Sequence, residues 1–335
     1  LTPPGAAGNA PVVITTPGGS ATVPGGYTYT TVTTRAYVAQ QTFGNVSVID
    51  AATNTVITTI PTTSAESVAI TPDGTKAYVT NPGANTVSVI NTATNTVATT
   101  IPTGSGSFDV AITPDGTKAY VTNSDAKSVS VINTVTNTVT FTITVGIGTS
   151  PYGVAITPDG TKAYVVNHGS NTVSVINTTI DTVTGTITLP AGSSPDSIAI
   201  APDGTKAYVT NYDLGSVSVI NTATNTITGP PITVGTKPAG VAVTPDNTKV
   251  YVGNYSSNSV SVIDTAINTV TTTIPLYADS GPYRGLAFTP DGTKAYVTNF
   301  DAHSVSVINT ATNTITGPSI AVGLHPTGVA IGAVV

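Results

Sequence analysis

The chain has 335 residues and a formal net charge of −6, and only 8% of its residues are charged, against about 25% in an average soluble domain. It has no Cys, Met or Trp, which excludes disulfides, thiolate nucleophiles, Cys-ligated zinc and c-type haem attachment, and we expect no cofactor. Mean hydropathy is +0.22, yet no apolar run reaches the roughly 18–20 residues of a spanning helix, so no membrane span is expected.

Residues 1–34 are rich in Pro, Gly and Thr and open Leu1-Thr2-Pro3-Pro4 with no initiator Met. This reads as the start of a secreted, processed, extracellular chain. We take 1–34 as an N-terminal arm or linker and 35–335 as one domain. Within the arm, the stretches holding Val12, Val13 and Ile14 and then Tyr27, Tyr29 and Val32 are β-prone. They are expected to add as strands to an outer edge of a neighbouring subunit.

From Arg35 onward four segments recur in fixed order, each seven times, at a spacing of about 43 residues. A short apolar stretch centres on Ala (Ala69, Ala111, Ala155, Ala199, Ala242, Ala287, Ala330). Next come a Tyr-Val stretch (Tyr37, Tyr78, Tyr120, Tyr164, Tyr208, Tyr251, Tyr296) and a V-S-V-I stretch. A Thr-rich stretch then opens near Asn54, Asn95, Asn137, Asp181, Asn225, Asn268 and Asn313. V-S-V-I alternates apolar and small polar residues, the period of a strand. Pro72-Asp73-Gly74 and its equivalents are turns, because Pro presets φ and Gly accepts positive φ. Four antiparallel strands per repeat predict an all-β, seven-bladed β-propeller. The first Tyr-Val strand lacks a preceding Ala strand, and the last Ala strand (Gly328 to Ile331) lacks a following Tyr-Val strand. The ring should therefore close by the C-terminal strand joining the first blade, which pairs backbone groups that an open ring would expose.

Tyr78-Val79-Thr80-Asn81 recurs at Tyr120–Asn123, Tyr208–Asn211 and Tyr296–Asn299, with the variants Tyr164-Val165-Val166-Asn167 and Tyr251-Val252-Gly253-Asn254. With the flanking P-D-G and V-S-V-I segments, the chain resembles the YVTN-repeat propellers, including those of archaeal surface-layer proteins. The resemblance spans residues 35–335. It implies the fold and leaves activity open, since that family is functionally mixed.

Strand order places the P-D-G and N-T-A-T-N turns on one face (the bottom) and the variable loops on the other (the top). Six bottom-turn acids are balanced by six lysines three residues on, so the net negative charge falls elsewhere. The top loops carry acids beside aromatics, including Tyr212, Tyr255 and Phe300. Carbohydrate, a basic protein partner or Ca²⁺ would each suit such a face, although the acid spacing matches no calcium motif and no metal site is expected. Nucleic acid is not expected, for want of a basic patch. Residues three before each inner Ala should ring the channel mouth: Glu66, Phe108, Tyr152, Asp196, Ala239, Arg284 and Thr327. A small-ligand site there requires Glu66, Asp196 and Arg284 to lie within ~10 Å around a cavity.

His168, His303 and His325 fall in different loops with no shared ligand spacing, and no G-x-S-x-G elbow is present. The outer strands carry a single charge, Asp181, and such bare edges are templates for strand addition. These features predict a non-enzymatic, self-assembling extracellular protein of a surface layer, sheath or filament. On this reading it is a homo-oligomer or polymer and contacts other surface proteins or carbohydrate. The alternative is a ligand-binding or lactonase-like propeller that uses the channel mouth. The sequons at Asn45, Asn177 and Asn254 offer sites for glycosylation.

Overall fold

The computed structural model describes residues 9–16, 19–28, 33–144 and 146–334. Seven sheets of antiparallel strands follow one another, each in the order inner strand, Tyr-Val strand, V-S-V-I strand, outer strand. We number the blades from the one holding Thr33–Gln40. Its inner strand is the C-terminal Pro326–Val334, with Tyr37 opposite Ala330. The ring therefore closes as the complementary ends require. No helix among the described residues is long and apolar enough to cross a membrane.

Apolar residues of successive sheets meet between blades. Tyr78, Val87, Val89 and Ile101 of blade 2 pack with Val110, Ala119, Val121 and Ile132 of blade 3. All seven Tyr-Val tyrosines are fully buried, but each hydroxyl still needs a partner. It finds one in the next blade, at the residue that opens the outer strand. Tyr37 donates to Asn95 Oδ1 at 2.9 Å and Tyr78 to Asn137 Oδ1 at 2.6 Å, and Tyr296 closes the circle on Asn54 at 2.5 Å. Those acceptors sit at positive φ, 56° at Asn54 and 54° at Asn137, a region that Asn and Asp tolerate best after Gly. The bottom lysines follow the same path: Lys76 Nζ donates to Thr134 O at 2.6 Å and Lys294 Nζ to Ala51 O at 2.7 Å. Arg35 takes the lysine's place in blade 1, donating to Thr92 O at 3.1 Å. These cations staple blades together and do not ion-pair within their own turns. Lys118 alone among them also meets a carboxylate, Asp181 of the next blade, at 2.8 Å.

The outer edges are better protected than their composition suggests. In blades 1, 2, 3, 4 and 6 a register shift interrupts the pairing of the outer strand. In blades 5 and 7 that strand is split, at Gly229-Pro230-Pro231 and Gly317-Pro318. Bulges and prolines are the usual devices against edge-to-edge pairing. In the arm, Asn9–Thr16 and Gly19–Thr28 pair with each other as an antiparallel hairpin, with Val12 opposite Val23. Val12, Val13, Ile14 and Tyr27 belong to that hairpin, whereas Tyr29 and Val32 lie outside the described residues.

Candidate active site at the channel mouth

In every blade but the second, a register shift falls where the inner strand begins, around the residue three before the inner Ala. In blades 1, 3, 4, 5 and 6 this shift opposes three residue steps to two on the Tyr-Val strand, as between Pro195 and Ile198. Blade 7 carries one residue more. Its shift runs from Pro282 to Leu286 against Asn299 and Val297, and Arg284 within it has φ of +49°. A long side chain in the left-handed region is strained by about 1–3 kcal/mol and persists only where its surroundings hold it.

The surroundings of Arg284 do hold it. Its guanidinium lies 4.0 Å from the centre of the Phe108 ring, 4.8 Å from Tyr152 and 5.3 Å from Tyr283. Its Nη2 is bonded to Asp196 Oδ1, in a pair with side-chain exposures of 9% and 3%. Burial opposes the arginine's charge, but Asp196, Tyr283 and Glu66 outweigh it and hold the group protonated. Glu66 is 2% exposed and accepts from Gln41 Nε2 at 3.1 Å. Burial pushes its carboxyl up to about 7, against the pull of Arg284. Burial also raises Asp196 and Asp109. A cavity of about 160 Å³ lies along the channel, lined by Glu66, Asp109 and Arg284 and, deeper, by Val110, Val241 and Leu286. Glu66 and Arg284 thus line one cavity, and Asp196, bonded to Arg284, stands behind it.

The acids differ in how they are used. Asp109 accepts from Ser67 Oγ at 2.5 Å and from the Val110 and Val154 amides at 2.9 Å each, bridging three blades. Its oxygens are committed to the scaffold. Asp196 Oδ2 and Arg284 Nε are buried with no partner, and such groups are costly unless a function uses them. Among the described residues no group of three or more His, Asp or Glu side chains is placed to hold a metal ion.

The Y-V-T-N variants mark this site. In blades 2, 3, 5 and 7 the Thr hydroxyl donates to the carbonyl of the next blade's mouth residue. Thr80 reaches Phe108 O at 2.9 Å, Thr122 Tyr152 O at 2.6 Å, Thr210 Ala239 O at 3.1 Å and Thr298 Thr327 O at 2.7 Å. In blades 1, 4 and 6 the Thr is replaced by Ala39, Val166 and Gly253. The mouth residues that follow those blades are Glu66, Asp196 and Arg284. At the same three junctions the preceding inner strand carries Gly328, Gly153 and Gly240. A Cβ there would lie 2.9, 3.1 and 2.7 Å from the Glu66, Asp196 and Arg284 carbonyl oxygens. (Blade 7 also has a glycine, Gly285, beside its Thr298.) The three charged segments therefore pack backbone against backbone where the four uncharged ones are latched by hydroxyls.

Aromatic rings extend from the mouth on both sides. Phe108 stacks on Tyr152 at 4.2 Å and Tyr152 on His168 at 4.6 Å. Opposite them, Tyr283 meets Tyr255 at 5.7 Å and Phe300 at 5.4 Å, and Phe300 stacks on His325 at 4.5 Å. His303 and His325, remote in sequence, touch edge to face at 4.9 Å. Tyr212 lies apart, under Lys237 Nζ at 5.5 Å. Asn254 is fully buried, its amide bonded to Ser259 and Ser261 at 3.2 and 2.9 Å, so this sequon is closed to a glycan in the folded chain. Asn45 and Asn177 are half-buried at strand ends.

A family profile described as "Lactonase, 7-bladed beta-propeller" matches residues 67–190 and 176–273, more than half the chain. The chain belongs to the seven-bladed β-propeller lactonase family. No curated protein matches the sequence. Among solved structures, Kuenenia stuttgartiensis hydrazine synthase superposes with a TM-score of 0.73 at 22% identity, covering 86% of this chain and 99% of that one. A candidate 6-phosphogluconolactonase of Bacteroides uniformis gives 0.75 at 16% identity, covering 90% and 99%. Virginiamycin B lyase of Staphylococcus aureus gives 0.69 at 19% identity, covering 81% and 91%. At these identities the structures attest the fold alone.

Family membership overturns the expectation of a non-enzymatic, self-assembling surface protein. Low charge does not leave the outer strands bare, because bulges and Gly-Pro breaks protect them. Few histidines and no serine elbow do not exclude hydrolysis, which buried carboxylates with pKa raised toward neutrality can also run.

Proposed function

We propose that this protein is a hydrolase that opens a small lactone at the top mouth of its channel. The observation that carries the reading is Glu66, a carboxyl pushed up to about 7, set beside a buried guanidinium that lines the same cavity. A general base is most effective when its pKa lies near the working pH. Glu66 takes a proton from water as that water's oxygen attacks the lactone carbonyl carbon. Arg284 stabilises the negative charge that develops on the carbonyl oxygen, an effect strongest in a dry site. The ring C–O bond then breaks, and the departing alkoxide recovers the proton from Glu66. One lactone and one water give one hydroxy acid. Asp196 and the three rings keep Arg284 charged and in place. We read the Y-V-T-N signature as the scaffold code of a branch of this family, with its variants reserved for the reactive junctions.

The test is hydrolysis of a panel of five- and six-membered lactones, followed by acid release. Wild type should open at least one of them, and Glu66→Gln should lower kcat by about 10²–10⁴ with a melting temperature no lower than that of wild type at neutral pH. A folded wild type inert toward the whole panel would remove the proposal.

A further inference from the structure

Glu66 is the only glutamate in the chain; every other acidic side chain is an aspartate. Its main chain is fixed on both sides. The amide donates to Thr80 O at 2.9 Å, and the carbonyl accepts from Gly328 N at 2.9 Å and from Thr327 Oγ1 at 2.6 Å. Its carboxyl accepts from one side chain among the described residues, Gln41 of the blade 1 top loop, at 3.1 Å from Nε2 to Oε2. Gln41 is exposed and Glu66 is buried, so the amide reaches inward from the surface to a buried carboxyl.

The scaffold delivers one side chain to this position in every blade. The residue after the Y-V-T-N segment is Pro82, Ser124, His168, Tyr212, Tyr255 and Phe300 in blades 2 to 7, and Gln41 holds the place in blade 1. Outside blade 2, whose proline has no N–H, its backbone amide donates to the residue just before the inner strand of the same blade. Ser124 reaches Gly106 O at 2.8 Å, Phe300 reaches Gly281 O at 3.0 Å and Gln41 reaches His325 O at 3.1 Å. Those acceptors sit at positive φ, 69°, 53° and 52°. In blade 1 the Thr42 hydroxyl and His325 Nδ1 add a second hydrogen bond. The repeat thus fixes where this side chain starts, and only blade 1, whose neighbour carries Glu66, fills the place with a side-chain amide. We infer that Gln41 is a positioning residue for the base proposed above, clamping Oε2 of Glu66 and leaving Oε1 for the attacking water. The inference rests on that reading of Glu66. A donor to a carboxylate favours its charged form. Gln41 and Arg284 therefore work against the burial of Glu66 and against the facing acids Asp196 and Asp109.

Because Glu66 is the only glutamate, protein labelled with ¹³C at the glutamate Cδ gives a single side-chain carboxyl signal, and its titration needs no substrate. Gln41→Met keeps the length of the side chain and removes the donor. The midpoint, near 7 in wild type, should rise by about one pH unit in this variant. Its kcat for lactone opening at neutral pH should fall at least about fivefold, with KM within about twofold of wild type. Ser124→Ala, at the same place in blade 3, should change neither. An unmoved midpoint in Gln41→Met, or an equal shift in Ser124→Ala, would overturn the inference. The two readings fail separately. An unmoved midpoint, with lactones opened by wild type and not by Glu66→Gln, defeats the clamp and keeps the hydrolase. A raised midpoint in a protein whose wild type opens no lactone defeats the hydrolase and keeps the clamp.

Discussion

Arg284 and Asp196 are 88 residues apart in sequence and two blades apart in the ring, yet their charged groups bond directly across the channel. The arginine reaches its partner from the one inner strand lengthened by a residue, in a backbone conformation that long side chains avoid. Removing one partner of a buried pair leaves an uncompensated charge and costs about 3–5 kcal/mol. Arg284→Gly and Asp196→Asn should each lower stability in urea titrations. The double variant should recover part of that loss, since it also relieves the strain at position 284, and it should stay inactive. Strictly additive losses would show that the two groups are not coupled.

The junction glycines give a second prediction. A methyl at Gly240 would lie 2.7 Å from the Arg284 carbonyl oxygen, closer than real contacts allow, whereas a Cβ at Gly185 meets nothing within 4 Å. Gly240→Ala should therefore displace the arginine segment and lower kcat at least tenfold. Gly185→Ala should leave activity unchanged and stability level or slightly raised, by up to about 1 kcal/mol, because glycine weakens a strand interior. Thermal melts and lactone turnover on the two variants check this.

Stability should also depend on pH in a defined way. The folded-state carboxyl of Glu66 is raised from the ordinary 4.5 to about 7, so the native state binds more protons than the unfolded chain between those values. Its contribution is fully present below pH 4.5 and is lost as pH rises through 7. Asp109 and Asp196, raised by burial, act in the same direction. The bottom-turn acids act oppositely. Hydrogen bonds from Thr71 and Thr75 hold Asp73 below the usual carboxylate range, so its contribution fades as pH falls beneath 3.8. Urea midpoints measured from pH 3 to 8 should peak between these windows, and Glu66→Gln should flatten the alkaline limb.

The interblade staples predict a distributed stability. Tyr78→Phe should cost about 1 kcal/mol, the usual net value of a hydrogen bond, plus the penalty of leaving the Asn137 acceptor bare. Deleting residues 326–335 removes the inner strand of blade 1 and opens the ring, and should abolish a single cooperative unfolding transition by calorimetry.

Most of the fold was legible because each blade restates it. Pro-Asp-Gly turns, V-S-V-I alternation and the complementary chain ends sufficed for blade number, strand order and closure. The mouth ring was legible for the same reason, since the repeat register alone places Glu66, Phe108, Tyr152, Asp196 and Arg284 around the axis. The use of that ring was not. Its signal lay in the exceptions: Ala39, Val166 and Gly253 replace a repeated Thr before each charged residue, and an extra residue stands in Pro282-Tyr283-Arg284-Gly285. The bulge that aims Arg284 at Asp196, and the burial that raises Glu66, arise from contacts between blades that no single repeat encodes. The rim misled for a related reason, because bulges are properties of strand pairing and not of composition.

The pH dependence of lactone hydrolysis tests the central claim most directly. If Glu66 is the base, kcat/KM for wild type should rise with pH through an inflection near 7 and level above it. Glu66→Gln should remove that inflection along with most of the rate. An unchanged rate and profile in a folded Glu66→Gln protein would contradict the account.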